Sequence, residues 1–354
     1  MVPVSGITCW IMREIIEVSR LGKEPSRIVI GDVVNSLENY LPEGKRVIVI
    51  ADEHVYHTYR SIIGRYDYCL IGLGETNKTL ATAQRLYGEL LNLGADRSTF
   101  ILGFGGGIVT DVTGFVASTY MRGLSFGFVA STLLAQVDAS VGGKNGVNFE
   151  GYKNMVGTFN QPDFVLCDLS LLDTLPEREF KSGLAEIIKS GLIADPELFK
   201  LFETHTLKEF RENRTLLLEA VHRAVRVKAD IVERDEREQG DRRKLNLGHT
   251  FAHAIEKSTR EYLHGEAVAI GLVMIAALSV QQGTLTQEEA DRVRAVVEKM
   301  GLPVQSGVEL PQLLQALKLD KKKAAKSVNF VLMDGLGSCQ IQPFTFEEID
   351  RIRL

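Results

Sequence analysis

The sequence is poor in the residues that would tie it to an oxidising compartment. Its 354 residues include four cysteines, Cys9, Cys69, Cys167 and Cys339, scattered and without a C-x-x-C pair. That excludes a zinc knuckle or a disulfide framework and suits a reducing compartment. A basic excess is also missing. Lys and Arg total 41 against 46 Asp and Glu, a net charge of −5, the wrong sign for a general nucleic-acid binder. No apolar run reads as a membrane span. The opening MVPVSGITCWIMREIIEVSR has neither the basic n-region nor the long apolar centre of a secretion signal. The expected location is cytoplasmic, with neither nucleic acid nor membrane as partner.

What is present reads as a globular protein in two parts. Hydrophobic residues make up 45% and charged residues 25%, and the length exceeds one compact core. In the first half, RIVI (27–30), RVIVIAD (46–52), YCLIGL (68–73) and STFILGFGGG (98–107) are strand-like, and TLATAQRLYGELLNLG (79–94) has helical spacing and a glycine stop. Strands alternating with helices predict a Rossmann-like α/β domain with a parallel sheet over 1–176. From Pro176 onward the segments are long and helical, as in TLLLEAVHRAVRVKADIVERDE and the doubly capped TQEEADRVRAVVEKMG (286–301). They predict an all-α domain over 177–354, to which the carboxylate and histidines considered below add metal binding.

Three stretches carry chemistry. GFGGGIVTD (103–111) follows a strand and opens a helix, a place where backbone N–H groups and the helix dipole can meet a phosphate. It is not G-x-G-x-x-G, and such a turn can also serve only to pack a helix on a sheet. Asp111 can equally complement the dipole, and GETNK (74–78), with Glu75 and Lys78, can equally be a solvated turn. In the segment 131–157, Asp138, Lys144, Asn145, Lys153 and Asn154 are embedded among small and apolar residues, which favours a binding loop for anions and hydroxyls over a solvated surface loop.

The third stretch concerns a metal. Glu186 and Lys189 share a helix face in SGLAEIIKSGL, in apolar surroundings where a charge needs a purpose. His249 and His253 lie four apart in KLNLGHTFAHAIEK, and His264 opens another apolar helix. A bare H-x-x-x-H is usually helix surface, but one carboxylate with two or three helical histidines is a plausible zinc set. Glu186, His249 and His264 fill the three-ligand count of a catalytic zinc, which leaves His253 for proton transfer.

Taken together, GGGIVTDVTGFVASTYMRG, STLLAQVDASVGGKNGVN, YKNMVG, LAEIIKSGL, DEREQGDRRKLNLGHTFAHAIE, LHGEAVAIG and DKK (320–322) resemble the 3-dehydroquinate synthase family, in order and over nearly the whole chain. The resemblance implies NAD and zinc (or cobalt) as cofactors, a sugar phosphate as substrate and a homodimer. It implies a phosphate-eliminating cyclase that borrows a hydride and returns it. It assigns Glu186, His249 and His264 to the metal. It assigns Asp52, Glu75, Lys78, Gly106, Gly107, Asp111, Ser131, Thr132, Lys144, Lys153, Leu171 and Thr174 to NAD. Asp138, Asn154, Lys228, Arg242 and Asn246 fall to the substrate, with Arg122 supplied across a dimer interface and Lys322 favoured over Lys321. Glu238, His253, Lys189 and Lys144 are the implied catalytic groups. Ser131, Leu247 and Thr110 depart from the usual family residues without touching acid, base or metal groups. A polyol dehydrogenase of the glycerol dehydrogenase type is the nearest rival, since it too joins an α/β NAD domain to a helical metal domain.

Overall fold

Runs of β-branched and aromatic residues with no polar face need cover on both sides, and here they form the middle of one sheet. The structure, a computed structural model, describes residues 13–20, 22–321 and 327–354. The sheet strands are β1 (Arg13–Arg20), β2 (Lys23–Gly31), β3 (Val47–Asp52), β4 (Asp67–Ile71), β5 (Phe100–Gly105), β6 (Ser125–Ala130) and, after a hairpin, β9 (Phe164–Asp168). The hairpin strands are β7 (Lys144–Phe149) and β8 (Tyr152–Phe159). Sheet order is β1-β2-β9-β6-β5-β3-β4, with β1 antiparallel to β2 and the remaining neighbours parallel. The four strands legible in the sequence are β2 to β5.

The chain runs from β3 outward to the edge strand β4 and then crosses back to the other side of β3 as β5. That reversal opens a crevice beyond the carboxyl ends of β3 and β5, where open α/β sheets bind ligands. Helix α1 (Leu80–Asn92) returns the chain, and α2 (Gly107–Thr119) starts directly after β5 at Gly106.

The second half contains α3 (Glu177–Ala194), α4 (Arg214–Arg234), α5 (His249–Ser258), α6 (His264–Gln281), α7 (Gln287–Lys299) and α8 (Leu310–Lys321). It is helical but also carries an antiparallel hairpin, β10 (Ser327–Gly335) and β11 (Ser338–Thr345), which the helical reading omits. Only its start alternates, with Val328 and Phe330 buried and Asn329 exposed; Phe330 to Met333 is an unbroken buried run. One hydrophobic core runs from a face of the sheet into these helices, and a smaller core covers the opposite face. Helix α6 differs from the sequence expectation too. It is long and apolar enough to cross a membrane, yet 67% of it is buried inside the protein, as a central core helix would be.

Candidate active site

Three helices converge because small residues let their backbones touch. A Cβ on Gly265 would lie 1.9 Å from the Ser182 carbonyl oxygen, so the start of α6 seats on α3 only without a side chain there. The Gly265 N–H also donates to Ser182 Oγ at 3.0 Å. Gly248, at φ +77°, turns the chain into α5 in a conformation that glycine adopts without strain. These contacts bring His264 and His249 onto Glu186 of α3.

His264 Nε2 lies 3.3 Å and His249 Nε2 3.6 Å from Glu186 Oε1. The ligand atoms of all three residues fall within 4.8 Å of one another. Glu186 is 1% exposed, and neither of its oxygens has a hydrogen-bond partner. Lys189 forms an ion pair with Oε2. Each imidazole is oriented through its other nitrogen: His249 Nδ1 faces the Leu247 carbonyl at 3.2 Å, and His264 Nδ1 faces Glu256 Oε1 at 3.2 Å. Two Nε2 lone pairs and an unsatisfied carboxylate oxygen around one point fit a divalent cation of the zinc type. His253 is not in this cluster. Its ring centroid is 5.6 Å from that of His249, and it opens to the cavity.

The charges here follow from burial and neighbours. Burial is the largest influence on the Glu186 carboxyl and would raise it, but the Lys189 ammonium, together with His249 and His264, outweighs it and holds the group at about 2. Burial takes His249 down to about 3, helped by Lys189. Burial acts on His264 as well, but the Glu186 and Glu256 carboxylates overcome it and lift that ring to about 10. His253 is pulled down by desolvation.

Beyond the cluster a π-helical turn, Ala135–Ala139, carries Asp138 toward α3 and α4. The Lys228 ammonium donates to the Asp138 carbonyl at 2.7 Å and pairs with its carboxylate, and Lys189 lies 3.9 Å from the same oxygen. Burial works against the charged Asp138, and the two lysines still hold it well below the usual carboxylate range. Glu238, at φ +59°, accepts from Asn246 Nδ2 at 2.6 Å and pairs with Lys144. Its loop is held by Asp235, whose carboxylate accepts backbone N–H groups of Gln239, Gly240 and Arg242 at 2.9, 2.7 and 3.1 Å. Arg242 lines the pocket, but its guanidinium is committed to the carbonyls of Gly142 and Glu236.

Three cavities meet at these residues. One of 640 Å³ lies at the strand ends and is lined by Asp52, Glu75, Gly106, Gly107, Ser131, Thr132, Lys153, Thr174 and His264. A second, of 280 Å³, joins it through Glu75, Gly107, Lys153, Glu256 and His264 and is lined by Lys78, Asp111, Asp138, Lys144, Asn154, Lys189, Lys228, Arg242, Asn246, His249 and His253. A third, of 560 Å³, opens past Glu238 and His253 to the β10–β11 hairpin. The hairpin β7–β8 holds Lys144, Lys153 and Asn154 between the halves. It is tied to the loop after β4, where Asn148 Nδ2 donates to Glu75 Oε1 at 2.8 Å and Asn148 Oδ1 accepts from the Asn154 N–H at 2.9 Å.

Some sequence-assigned residues are engaged by other groups of the chain or lie away from the cavity walls. Lys78 and Asp111 pair with each other. Leu171 is 2% exposed in the core beneath the large cavity, and its carbonyl accepts from the wall residue Tyr59 at 3.2 Å. Asn145 is structural: its Nδ2 donates to the Gly143 and Asn160 carbonyls at 3.0 and 2.9 Å. Arg122 is exposed just past the far end of α2, about 20 Å along the helix from Gly107. Lys322 lies outside the described residues. Glu256 was absent from the sequence reading; the available signal was its spacing, three after His253 and seven after His249 on one helix face.

The fold is that of the sugar phosphate cyclases. A 2-epi-5-epi-valiolone synthase from Streptomyces hygroscopicus subsp. jinggangensis, solved with NAD+ and Zn2+ bound, superposes with a TM-score of 0.84 at 30% identity, covering 94% of this chain and 97% of that one. A 2-deoxy-scyllo-inosose synthase complexed with carbaglucose-6-phosphate, NAD+ and Co2+ superposes with a TM-score of 0.82 at 25% identity, covering 95% and 98%. In sequence, the family models for the N-terminal and C-terminal parts of 3-dehydroquinate synthase match residues 68–182 and 183–323. The 3-dehydroquinate synthase of Campylobacter curvus is 42% identical over 328 residues, 90% of this chain and 93% of the relative. The chain belongs to the 3-dehydroquinate synthase family.

Proposed function

We propose that this protein is a 3-dehydroquinate synthase that converts 3-deoxy-D-arabino-heptulosonate 7-phosphate to 3-dehydroquinate and phosphate, with NAD used and regenerated in each turnover. The observation that carries this reading is the place of the Glu186–His249–His264 cluster: His264 stands on the wall shared by the strand-end cavity and the lysine-rich pocket, and His249 lines the latter. The related cyclases solved with NAD+ and Zn2+ or Co2+ support NAD and a divalent cation as its cofactors. On this reading residues 1–176 hold the dinucleotide and 177–354 the metal and most substrate contacts.

A bound cation would supply Lewis acidity to adjacent substrate hydroxyls, and NAD a reversible hydride acceptor. The chain's own groups do the rest. Lys228, Lys189, Asn246 and Asp138 present charge and hydrogen bonds to the carboxylate and hydroxyls. Lys144 and Asn154 face the phosphate from the hairpin, and the family resemblance assigns Lys322, outside the described residues, to the same group. Loss of phosphate requires a proton to leave the neighbouring carbon. Glu238 is kept ionised: burial would raise its carboxyl, but Lys144 and Asn246 outweigh that and lower it. His253 is kept neutral by desolvation. Both can therefore accept protons near neutral pH. By family resemblance Arg122 is assigned to a second copy's site, and on this reading the enzyme is a homodimer. The buried free thiols of Cys69, Cys167 and Cys339 support a cytoplasmic location.

The test is incubation of the purified protein with the heptulosonate phosphate, NAD and zinc. Phosphate and dehydroquinate should appear in equal amounts without net NADH. Net NADH from glycerol would favour a polyol dehydrogenase, and no phosphate from a protein shown to hold metal and NAD would overturn the reading.

A further inference from the structure

Glu256 is not a member of the ligand triad, yet its Oε1 takes two contacts, His264 Nδ1 at 3.2 Å and Lys153 Nζ at 3.1 Å. The carboxylate is 9% exposed and lines both the strand-end cavity and the lysine-rich pocket. Lys153 belongs to β8 in the first half, and His264 opens α6 in the second. One oxygen therefore joins a wall of the proposed dinucleotide cavity to a proposed metal ligand.

A carboxylate accepting from Nδ1–H fixes the tautomer that leaves Nε2 free and makes that nitrogen a stronger donor. A lysine on the same oxygen draws charge away from it and weakens the effect. A dinucleotide phosphate or ribose that engages Lys153 releases the oxygen to His264 alone. From this geometry we infer that Glu256 is a positioning residue that couples the two sites, so that dinucleotide occupancy tightens the metal and metal occupancy tightens the dinucleotide. The inference rests on the function proposed above, and reciprocity follows from linkage.

The experiment titrates the full chain, stripped of metal, with Co2+ in the absence and presence of saturating NAD. Cobalt is read by its visible absorption and NAD by calorimetry. In the unaltered protein NAD should raise Co2+ affinity about fivefold or more, and Co2+ should raise NAD affinity by the same factor. Glu256→Gln should lower Co2+ affinity about 10–100-fold, shift the cobalt spectrum and abolish the coupling. Lys153→Met, at a half-exposed position that keeps Glu256 on His264, should bind Co2+ without NAD as tightly as the unaltered protein does with it. That variant decides the matter if Glu256→Gln fails to fold. Co2+ affinity indifferent to NAD, or coupling undiminished in both variants, overturns the inference and leaves the proposed function standing. A protein that binds neither Co2+ nor NAD overturns both.

Discussion

His249 places one ring nitrogen 3.6 Å from Glu186 Oε1 and the other 3.2 Å from its neighbour's carbonyl at Leu247, whereas His253, four residues on, touches neither group. The two histidines of one helix therefore have separable roles. His249→Ala should lose bound metal and with it turnover. His253→Ala should keep its metal but lose about 10²–10⁴-fold in turnover, the usual worth of a general acid–base group. Metal analysis of the two purified variants checks this, and equal metal loss in both would refute the separation.

His264 gives the metal site a pH dependence of known sign. Its ring is lifted from 6.5 to about 10, so without metal it carries a proton at pH 7 that a cation must displace. Apparent metal affinity should rise about tenfold per pH unit between roughly pH 7 and 9, with about one proton released per ion, measurable by calorimetry in buffers of different ionisation enthalpy. A group raised on folding contributes stability that is complete below its unfolded value and is lost as pH rises through its folded value. The metal-free protein should thus lose thermal stability from about pH 6.5 to 10, and the metal-loaded protein should not lose this contribution.

Asp138 separates two buried ammonium groups. Asp138→Ala leaves Lys228 and Lys189 without that counter-charge, and breaking such a buried arrangement costs about 3–5 kcal/mol. Urea unfolding should show a lower midpoint at unchanged slope. An unmoved midpoint would mean that water already compensates the lysines.

Gly265→Ala drives a methyl group into the Ser182 carbonyl. Overpacking of this kind costs about 1–3 kcal/mol, and here it pushes the first turn of α6 from α3, taking His264 from Glu186. Metal affinity should fall more steeply than melting temperature, which parallel chelator competition and thermal melts can compare.

Arg122 lies away from the cavities of its own chain, so its effect should depend on assembly. Arg122→Ala should raise KM with little effect on stability. Mixing it with inactive Glu186→Ala should restore turnover above either variant alone, since a mixed dimer keeps one intact site. No recovery on mixing would remove Arg122 from the site.

The strands of the sheet core were legible because β3 and β5 are buried on both faces and read as unbroken apolar runs. The edge strand β1, with Glu14, Glu17 and Arg20 among its eight residues, gave no such run, and β7 and β8 were hidden in a segment whose polar residues read as a loop. The metal triad was visible as residue types in unusual surroundings. Glu256 was not, since a glutamate near the end of an amphipathic helix is ordinary until its partner is known.

The sequence by itself determined the parallel sheet, the helical second half, the glycine turn and the acid, base and ligand residue types, because periodicity and composition are local properties. Tertiary structure alone decided that α3, α5 and α6 approach within backbone contact, that Asp138 meets Lys189 and Lys228, and that one Glu256 oxygen is shared by Lys153 and His264. Those pairs are far apart in the chain or in different elements. Their energies depend on burial and on distances of a few ångströms that only packing sets.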